Sequence, residues 1–549
     1  MIRSAGLLLS LFVSASLSAV EGDAIGKWTH DLSFLRNELP KRHRNFFHDT
    51  SPKDFDDGIA RIEADLPRLN ENEIIVRIAQ TVKRAVGDRD GHSGVMLRPP
   101  SAPFLGVPVN FFRDADGLYI RAAARDYADL VGGRVVAIGG APADVAWKAV
   151  WTLAAGDNDK SREASGEALL SMPGLLRATR TIGGSANEPV EISVLLADGR
   201  RVTRSVATVE KLDSVAEWVD VRRLGAVPLY LRHVNPNPFM WFAPSKALWF
   251  EYLEPQKALY VHYGAVADSP DETVAAFFAR VFAFADSNAV DKFIVDLRHN
   301  GGGNNFLNRP FLHGMIKRDA TIGRRGVFFV LIGRHTFSAA QNIVTQLEAH
   351  TNVIFVGEPT GGSPNHFGDA TRVRLPNSGL VIRASTLWWQ DAHPNDERLW
   401  IAPQIAADPS IVTDRAGRDV VLDAALAYKP EPPIAEVLRG VLAEGKAAVA
   451  SEYAKWRSAP HRKYVSAERD VNTLAVSLFG EDRNRGVTMF EINAEAYPNS
   501  WRAQESLGRA YVAVGRKDDA IAAFKRAVAL SDKALIAKEQ LAVLTAPAK

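Results

Sequence analysis

The chain has 549 residues, a formal net charge of +2 at neutral pH, 46% hydrophobic residues and no cysteine. A balance this close to neutral gives no reason to invoke nucleic acid. Without cysteine, a disulfide framework, a thiolate metal site and a cysteine-linked lipid are all excluded. At about 150 residues per domain the length predicts three or four domains of ordinary globular composition.

Residues 1–19 carry Arg3, an apolar stretch from Leu7 to Val13 and small residues ending near Ala19. That is the pattern of a secretory signal peptide, short of the roughly 20 apolar residues a spanning helix needs. Cleavage is expected near Ala19, although Leu17 holds a position usually small. The mature chain is expected in a periplasm or outside the cell, with no membrane span. From 24 to 98, Phe34, Leu35, Leu39, Ile59, Ile62, Leu66, Ile74, Ile75, Ile78 and Val82 recur at helical spacings and predict a helical N-terminal unit. Residues 100–210 alternate short strands with turns such as Asp116-Gly117 and Asp198-Gly199. From 224 to 427, strands alternate with helices and glycine-rich turns close the strands, which predicts an α/β core around a mainly parallel sheet. Pro430-Glu431-Pro432-Pro433 marks a linker, and 434–549 reads as helical. The fold class is α/β and multidomain.

Two segments of the core carry candidate chemistry. Lys292 to Arg298 reads as a buried strand that runs into His299-Asn300-Gly301-Gly302-Gly303-Asn304-Asn305. Three glycines after a strand present N–H groups with no side chain in the way, which suits an oxyanion. A phosphate loop lacks its lysine here, a dinucleotide fingerprint is not matched, and a flexible surface loop is the plain alternative. The second segment is Gly333-Arg334-His335-Thr336-Phe337-Ser338-Ala339-Ala340. It lies between the strand-like Val327–Ile332 and a helical pattern of Ala340, Ile343, Val344 and Leu347. Ser338 therefore sits where a helix begins, either as an N-cap or as a nucleophile beside free N–H groups.

Taken together, Val295-Asp296-Leu297-Arg298-His299-Asn300-Gly301-Gly302-Gly303, Thr336-Phe337-Ser338-Ala339-Ala340, Val356-Gly357-Glu358-Pro359-Thr360-Gly361-Gly362 and Trp400-Ile401-Ala402-Pro403 resemble the tail-specific (C-terminal processing) protease family. Leu375-Pro376-Asn377-Ser378-Gly379 extends the match. One branch of that family pairs its serine with a lysine after the Gly-Glu-Pro-Thr segment. Here Gly362-Ser363-Pro364-Asn365-His366 fills the place, and no lysine occurs between Lys317 and Lys429. The tricorn-like branch uses an earlier histidine, and Asp90-Gly91-His92-Ser93 resembles its motif.

The resemblance implies Ser338 as nucleophile, His92 as base, and Glu397 or Asp396 as the acid that orients it. Gly301 or Gly302, with Ala339, would supply the oxyanion N–H groups. Such a set implies an acyl-enzyme peptidase acting on peptides or proteins, with activity lost as pH falls through about 6–7. Tricorn has a serine just before its histidine, whereas Gly91 precedes and Ser93 follows here, so a second serine's part is open. His299, His335 and His366 are the rival histidines. No His-Glu-x-x-His and no tight cluster of His and carboxylates is present, so neither metal nor cofactor is expected.

Residues 103–209 resemble an embedded PDZ-like domain, which would take a peptide as an added strand or serve as a spacer. Leu507, Gly508, Tyr511, Gly515, Ala520, Phe524 and Ala527 resemble one tetratricopeptide repeat, with a degenerate unit from about 472 to 498. That region would recruit a partner or cap the molecule. Two readings compete with the peptidase: a non-catalytic binding protein for a peptide or apolar ligand on the same scaffold, and a chaperone-like interaction protein. Trp388-Trp389 is either a wall of the substrate cleft or core packing.

Overall fold

The structure is a computed structural model that describes residues 22–234, 236–238 and 246–546. The expected signal peptide at 1–19 lies outside the described residues. Two compact units are present: Met1–Pro403 with Ala407–Ala427, and Gln404–Ala406 with Tyr428–Lys549. Among the described residues no helix is long and apolar enough to cross a membrane.

The first unit opens with three helices, α1 (Asp23–Arg42), α2 (Pro52–Asp65) and α3 (Glu71–Val86). Local chemistry sets their starts. Ser51 accepts the Asp54 N–H ahead of Pro52, and Asn70 with Glu73 forms a reciprocal capping box. Their apolar faces bury Leu32, Leu35, Ile59, Ile74, Ile78 and Val82 in one core, shared with Val373, Leu380 and Ile382. Gly87 ends α3, and the chain then turns through Asp90, Gly91 and His92 into β1 (Gly94–Val95).

A seven-stranded, largely antiparallel sheet follows. It comprises β2 (Val109–Asp114), β3 (Gly117–Ala124), β4 (Arg134–Ile138), β5 (Ala141–Pro142), β6 (Val190–Leu195), β7 (Arg201–Val206) and β8 (Trp218–Asp220). The order is β2-β3-β4-β6-β7, with β5 on β4 and β8 on β3. Helices α4 (Ala143–Trp151), α5 (Asp159–Leu170) and α6 (Pro173–Ala178) lie between β5 and β6 in the chain.

The α/β part is built on β9 (Leu248–Leu253), β10 (Ala258–Tyr263), β11 (Lys292–Asp296), β12 (Phe328–Ile332) and β13 (Ile354–Gly357). These run side by side as β13-β12-β11-β10-β9. Every pairing from β10 to β13 is parallel, and only β9 is antiparallel. The expected mainly parallel sheet is thus present. Helices α7 (Val274–Ser287), α8 (Arg309–Lys317) and α9 (Ala339–His350) connect the strands and cover them, burying Phe277, Phe278, Phe311, Ile343, Val344 and Leu347. A hairpin of two ten-residue strands, β14 (Asn365–Arg374) and β15 (Val381–Gln390), completes the unit with β1 antiparallel against β15. The glycines and proline of 361–364 point to a loop through 366; residues 365 and 366 instead begin β14.

The second unit is helical, with α10 (Ile434–Gly440), α11 (Lys446–Ser458), α12 (Glu468–Glu481), α13 (Arg483–Ala496), α14 (Trp501–Ala513), α15 (Lys517–Leu530) and α16 (Leu535–Thr545). Small residues sit where helices touch. A methyl on Gly508 would lie 2.5 Å from the Phe524 ring, and one on Gly486 would lie 2.4 Å from Phe479 Cα.

Candidate active site

Ser338 stands at the junction of β12 and α9, two residues beyond the short turn in which Thr336 Oγ1 donates to the Leu297 carbonyl and accepts the Gly333 N–H. Its backbone angles are φ +55° and ψ −127°, a combination that glycine usually occupies at the first central position of a type II′ turn. The side chain makes no capping bond to the helix that it precedes. Instead its Oγ lies 3.0 Å from His92 Nε2. Ser338 thus holds the N-cap position but turns its oxygen to a histidine rather than to the helix.

His92 is buried at 8% exposure, and its ring stacks on Phe337 with centroids 4.6 Å apart. Burial is the main cause that pushes it down to about 3. His366 and Arg383 add to that, while Asp90 and the Phe367 backbone oppose it. Its Nδ1 is buried without a hydrogen-bond partner of good geometry.

The segment carrying His92 is fixed on both sides. Asp90 accepts the Ser385 hydroxyl at 2.7 Å and the Ser93 N–H at 3.0 Å, and lies 2.7 Å from His43 Nε2. Because His43 Nδ1 accepts the Asn45 N–H, the proton on that ring belongs to Nε2 and points at Asp90. Ser93 Oγ donates to Ser385 Oγ and accepts the Ser385 N–H, so its hydroxyl belongs to this cluster rather than to Ser338. The pairing of His43 with Asp90 leaves no trace in the sequence, since nothing in the spacing links residues 47 positions apart.

The glycine loop packs directly on the serine. A methyl on Gly302, whose φ is +107°, would lie 2.6 Å from Ser338 Cβ and 2.8 Å from the Ala339 nitrogen. Asn300 ties the two loops: its carbonyl accepts the Phe337 N–H, its Nδ2 donates to the Tyr263 carbonyl, and its Oδ1 accepts the Gly302 N–H at 2.9 Å. The Gly302 N–H is thus engaged inside the loop. Gly301 remains the loop's oxyanion candidate. Ala339 opens α9, where an N–H has no intrahelical acceptor. Beneath the loop, Arg298 is buried and bonded to Asp296 at 2.6 Å and Asp419 at 2.7 Å.

The structure does not bond either expected acid to His92. Asp396 accepts from Arg398 at 2.7 Å, and Arg398 reaches Glu348 at 2.6 Å. Burial acts to raise the Asp396 carboxyl, but Arg398 outweighs it and holds the group below its usual range. The Glu397 backbone carbonyl accepts from Arg89 at 2.5 Å. The third histidine that lies near the pair is His366 on β14, fully buried, with its ring 10° from parallel to that of His92 and centroids 5.9 Å apart. His299 and His335 lie elsewhere. They face each other beside Tyr230, in a cavity of about 40 Å³ also lined by Arg121 and Arg334, and burial lowers both. Trp388 packs on Phe367, and Trp389 donates to Asp369 at 2.6 Å. Among the described residues no group of three His, Asp or Glu could hold a metal.

No protein-family model matches the sequence, and no curated protein matches it significantly. Solved structures resemble it in part. Mature CPAF complexed with lactacystin is 15% identical over 74% of this chain and 97% of that one, with a TM-score of 0.49. The photosystem II D1 C-terminal processing protease is 13% identical over 72% and 95%, at 0.34. The tricorn protease is 17% identical over 72% of this chain and 36% of its own, also at 0.34.

Proposed function

We propose that this chain is a serine-type endopeptidase that cleaves peptide or protein substrates through an acyl-enzyme. The observation that carries the reading is the contact of Ser338 Oγ with His92 Nε2 at 3.0 Å, made by a serine that forgoes its helix-capping bond and sits in a strained backbone conformation. A hydroxyl is a poor nucleophile until a neighbouring base accepts its proton. His92, kept neutral by burial, has that lone pair available at neutral pH. In the proposed cycle Ser338 attacks the scissile carbonyl, and its proton passes to His92. His92 then protonates the leaving amine, and water later releases the acyl group with His92 again as base. The developing oxyanion would meet the N–H of Ala339 and of Gly301, at the positive end of α9.

Further parts of the proposal rest on the sequence. Export by the 1–19 leader would place the enzyme in a periplasm or outside the cell. The antiparallel sheet of β2 to β8 with its three helices supports a PDZ-like reading of 100–210. The helix pairs closed at Gly486 and Gly508 support a tetratricopeptide-like reading of 434–549. Glu397 and Asp396 stay as candidates for orienting His92 once a substrate is bound.

The deciding experiment is fluorophosphonate labelling of the full chain with intact-mass readout, beside Ser338→Ala and His92→Ala. One adduct on the wild type, lost in both variants, is expected. A folded wild type that takes no adduct would instead favour the non-catalytic binding protein.

A further inference from the structure

We propose that His366, seated by Asp157, is the positioning residue that orients His92. The inference rests on the peptidase reading above. To accept a proton from Ser338, His92 must carry its own proton on Nδ1, and that N–H needs an acceptor to fix the tautomer and the ring. In this structure His92 Nδ1 is buried without a well-aligned hydrogen bond, although the Phe367 backbone acts on the ring. A buried donor left without a good acceptor is costly, so an acceptor close by is called for.

His366 supplies one. Its Nδ1 lies 2.9 Å from the Ser363 carbonyl oxygen, and a carbonyl can only accept. The His366 proton is therefore on Nδ1, and Nε2 is left as a bare acceptor. That Nε2 is also fully buried without a partner. Two nearly parallel rings with centroids 5.9 Å apart thus hold one poorly matched donor nitrogen and one unmatched acceptor nitrogen. A single water between them would satisfy both.

Asp157 connects the two segments. One of its oxygens accepts the Gly91 N–H at 2.6 Å, and the other accepts the Ser363 N–H at 3.1 Å. A single carboxylate therefore fixes the residue before His92 and the residue whose carbonyl sets the His366 tautomer. Gly91 is held tightly in this clamp, since a methyl there would lie 2.8 Å from the Phe337 ring and 3.1 Å from the Asp157 nitrogen. Burial pushes the Asp157 carboxyl up to about 6, and His366 and the two N–H groups oppose the rise. Next to it, Asn158 donates to the Thr360 and Leu399 carbonyls, so the same short turn also braces the loops on either side of His366. The place that a lysine fills in one branch of the resembled family falls here in Gly362-Ser363-Pro364-Asn365-His366, the segment that carries this histidine. The chemistry differs: a lysine there would meet the serine itself, whereas His366 faces the base.

The test uses the full chain with selectively ¹⁵N-labelled histidine, comparing wild type, His366→Phe, His366→Gln and Glu397→Gln. Phenylalanine keeps the stacked ring and removes the acceptor; glutamine restores an acceptor. The expected result is a loss of about 100-fold in fluorophosphonate labelling rate for His366→Phe, partial recovery in His366→Gln, and a smaller loss in Glu397→Gln. The His92 ¹⁵N shifts should move from a pure Nδ1–H tautomer toward a mixture in His366→Phe. Wild-type labelling rate in a folded His366→Phe, or an unchanged His92 tautomer, overturns the proposal. If the wild type takes no label, the peptidase reading fails on that arm, while the tautomer measurement still decides what His366 does to His92. Should His366→Phe not fold, the tautomer and rate in His366→Gln against His366→Asn decide the matter in the same way.

Discussion

Gly302 and Ser338 touch with no space left between them: a β-carbon on the glycine would lie 2.6 Å from that of the serine. The glycine also holds φ at +107°, where an added side chain is strained whatever the room. Gly302→Ala is expected to cost about 1–3 kcal/mol in strain and to push the turn that carries the serine. The labelling rate should fall at least tenfold in protein whose thermal unfolding remains cooperative. A wild-type rate would mean that the loop does not shape the nucleophile's surroundings.

The pH profile should differ from that of an ordinary histidine base. A ring pushed down to about 3 stays unprotonated, and able to accept a proton, far below neutrality. The acid limb of the labelling rate is therefore expected well below pH 6, rather than at the 6–7 that an unperturbed histidine gives. Rates measured from pH 4 to 8 test this, and an inflection near 6.5 would contradict it.

Acid should also lower stability, in a defined window. Burial lowers His262 and His335 to about 4 and His92 to about 3, and it lowers His299 as well. Below about 6.5 the unfolded chain takes up protons that the folded chain refuses, so stability is full above that pH and falls as pH drops toward 4. Asp157 acts with the opposite sign, because its raised carboxyl takes up a proton first in the folded state. Glu167, which burial also raises, acts as Asp157 does; with four histidines against these two carboxyls, the melting temperature at pH 5 should lie below that at pH 7.

Arg298 neutralises Asp296 and Asp419 in a buried cluster where Tyr260 also donates to Asp296 at 2.6 Å. Arg298→Met leaves two buried carboxylates without the cation that bonds both. A loss of about 3–5 kcal/mol is expected from denaturant unfolding, and Asp419→Asn should cost less. Equal costs would indicate that the cluster is not coupled.

Asp396 sits in a partly exposed ion pair with Arg398. Asp396→Asn should change stability by no more than about 1 kcal/mol, and labelling by less than threefold. A loss of labelling on the scale of His92→Ala would make that carboxylate, still a candidate, the group that orients His92.

Much of the fold and of the site is legible in the chain. The apolar runs Phe293–Leu297 and Phe328–Ile332 read as buried strands because parallel strands covered on both faces need no alternation. Ser338, His92 and the glycines stand out because their local motifs are dense. What stays hidden depends on contacts far apart in sequence. His366 lies in a segment whose glycines and proline signal a loop, yet pairing with Trp389 makes it strand. Asp157 shows no sign of its role, because its partners Gly91 and Ser363 lie 66 and 206 positions away. The acids at 396 and 397 owe their candidacy to their place along the chain, and the ion pair of Asp396 with Arg398, two residues on, carries no long-range signal.

Ser338 and His92 are 246 positions apart and enter from different sheets, one after β12 and the other beside the β14–β15 hairpin. No local segment can assemble the pair, so the contact of Ser338 with His92 exists only when both sheets are complete. On the peptidase reading proposed above, a chain still emerging, or partly unfolded, would have nothing with which to cut itself or its neighbours. On that reading the fold itself would do the work of a propeptide, and an active-site probe would count finished molecules.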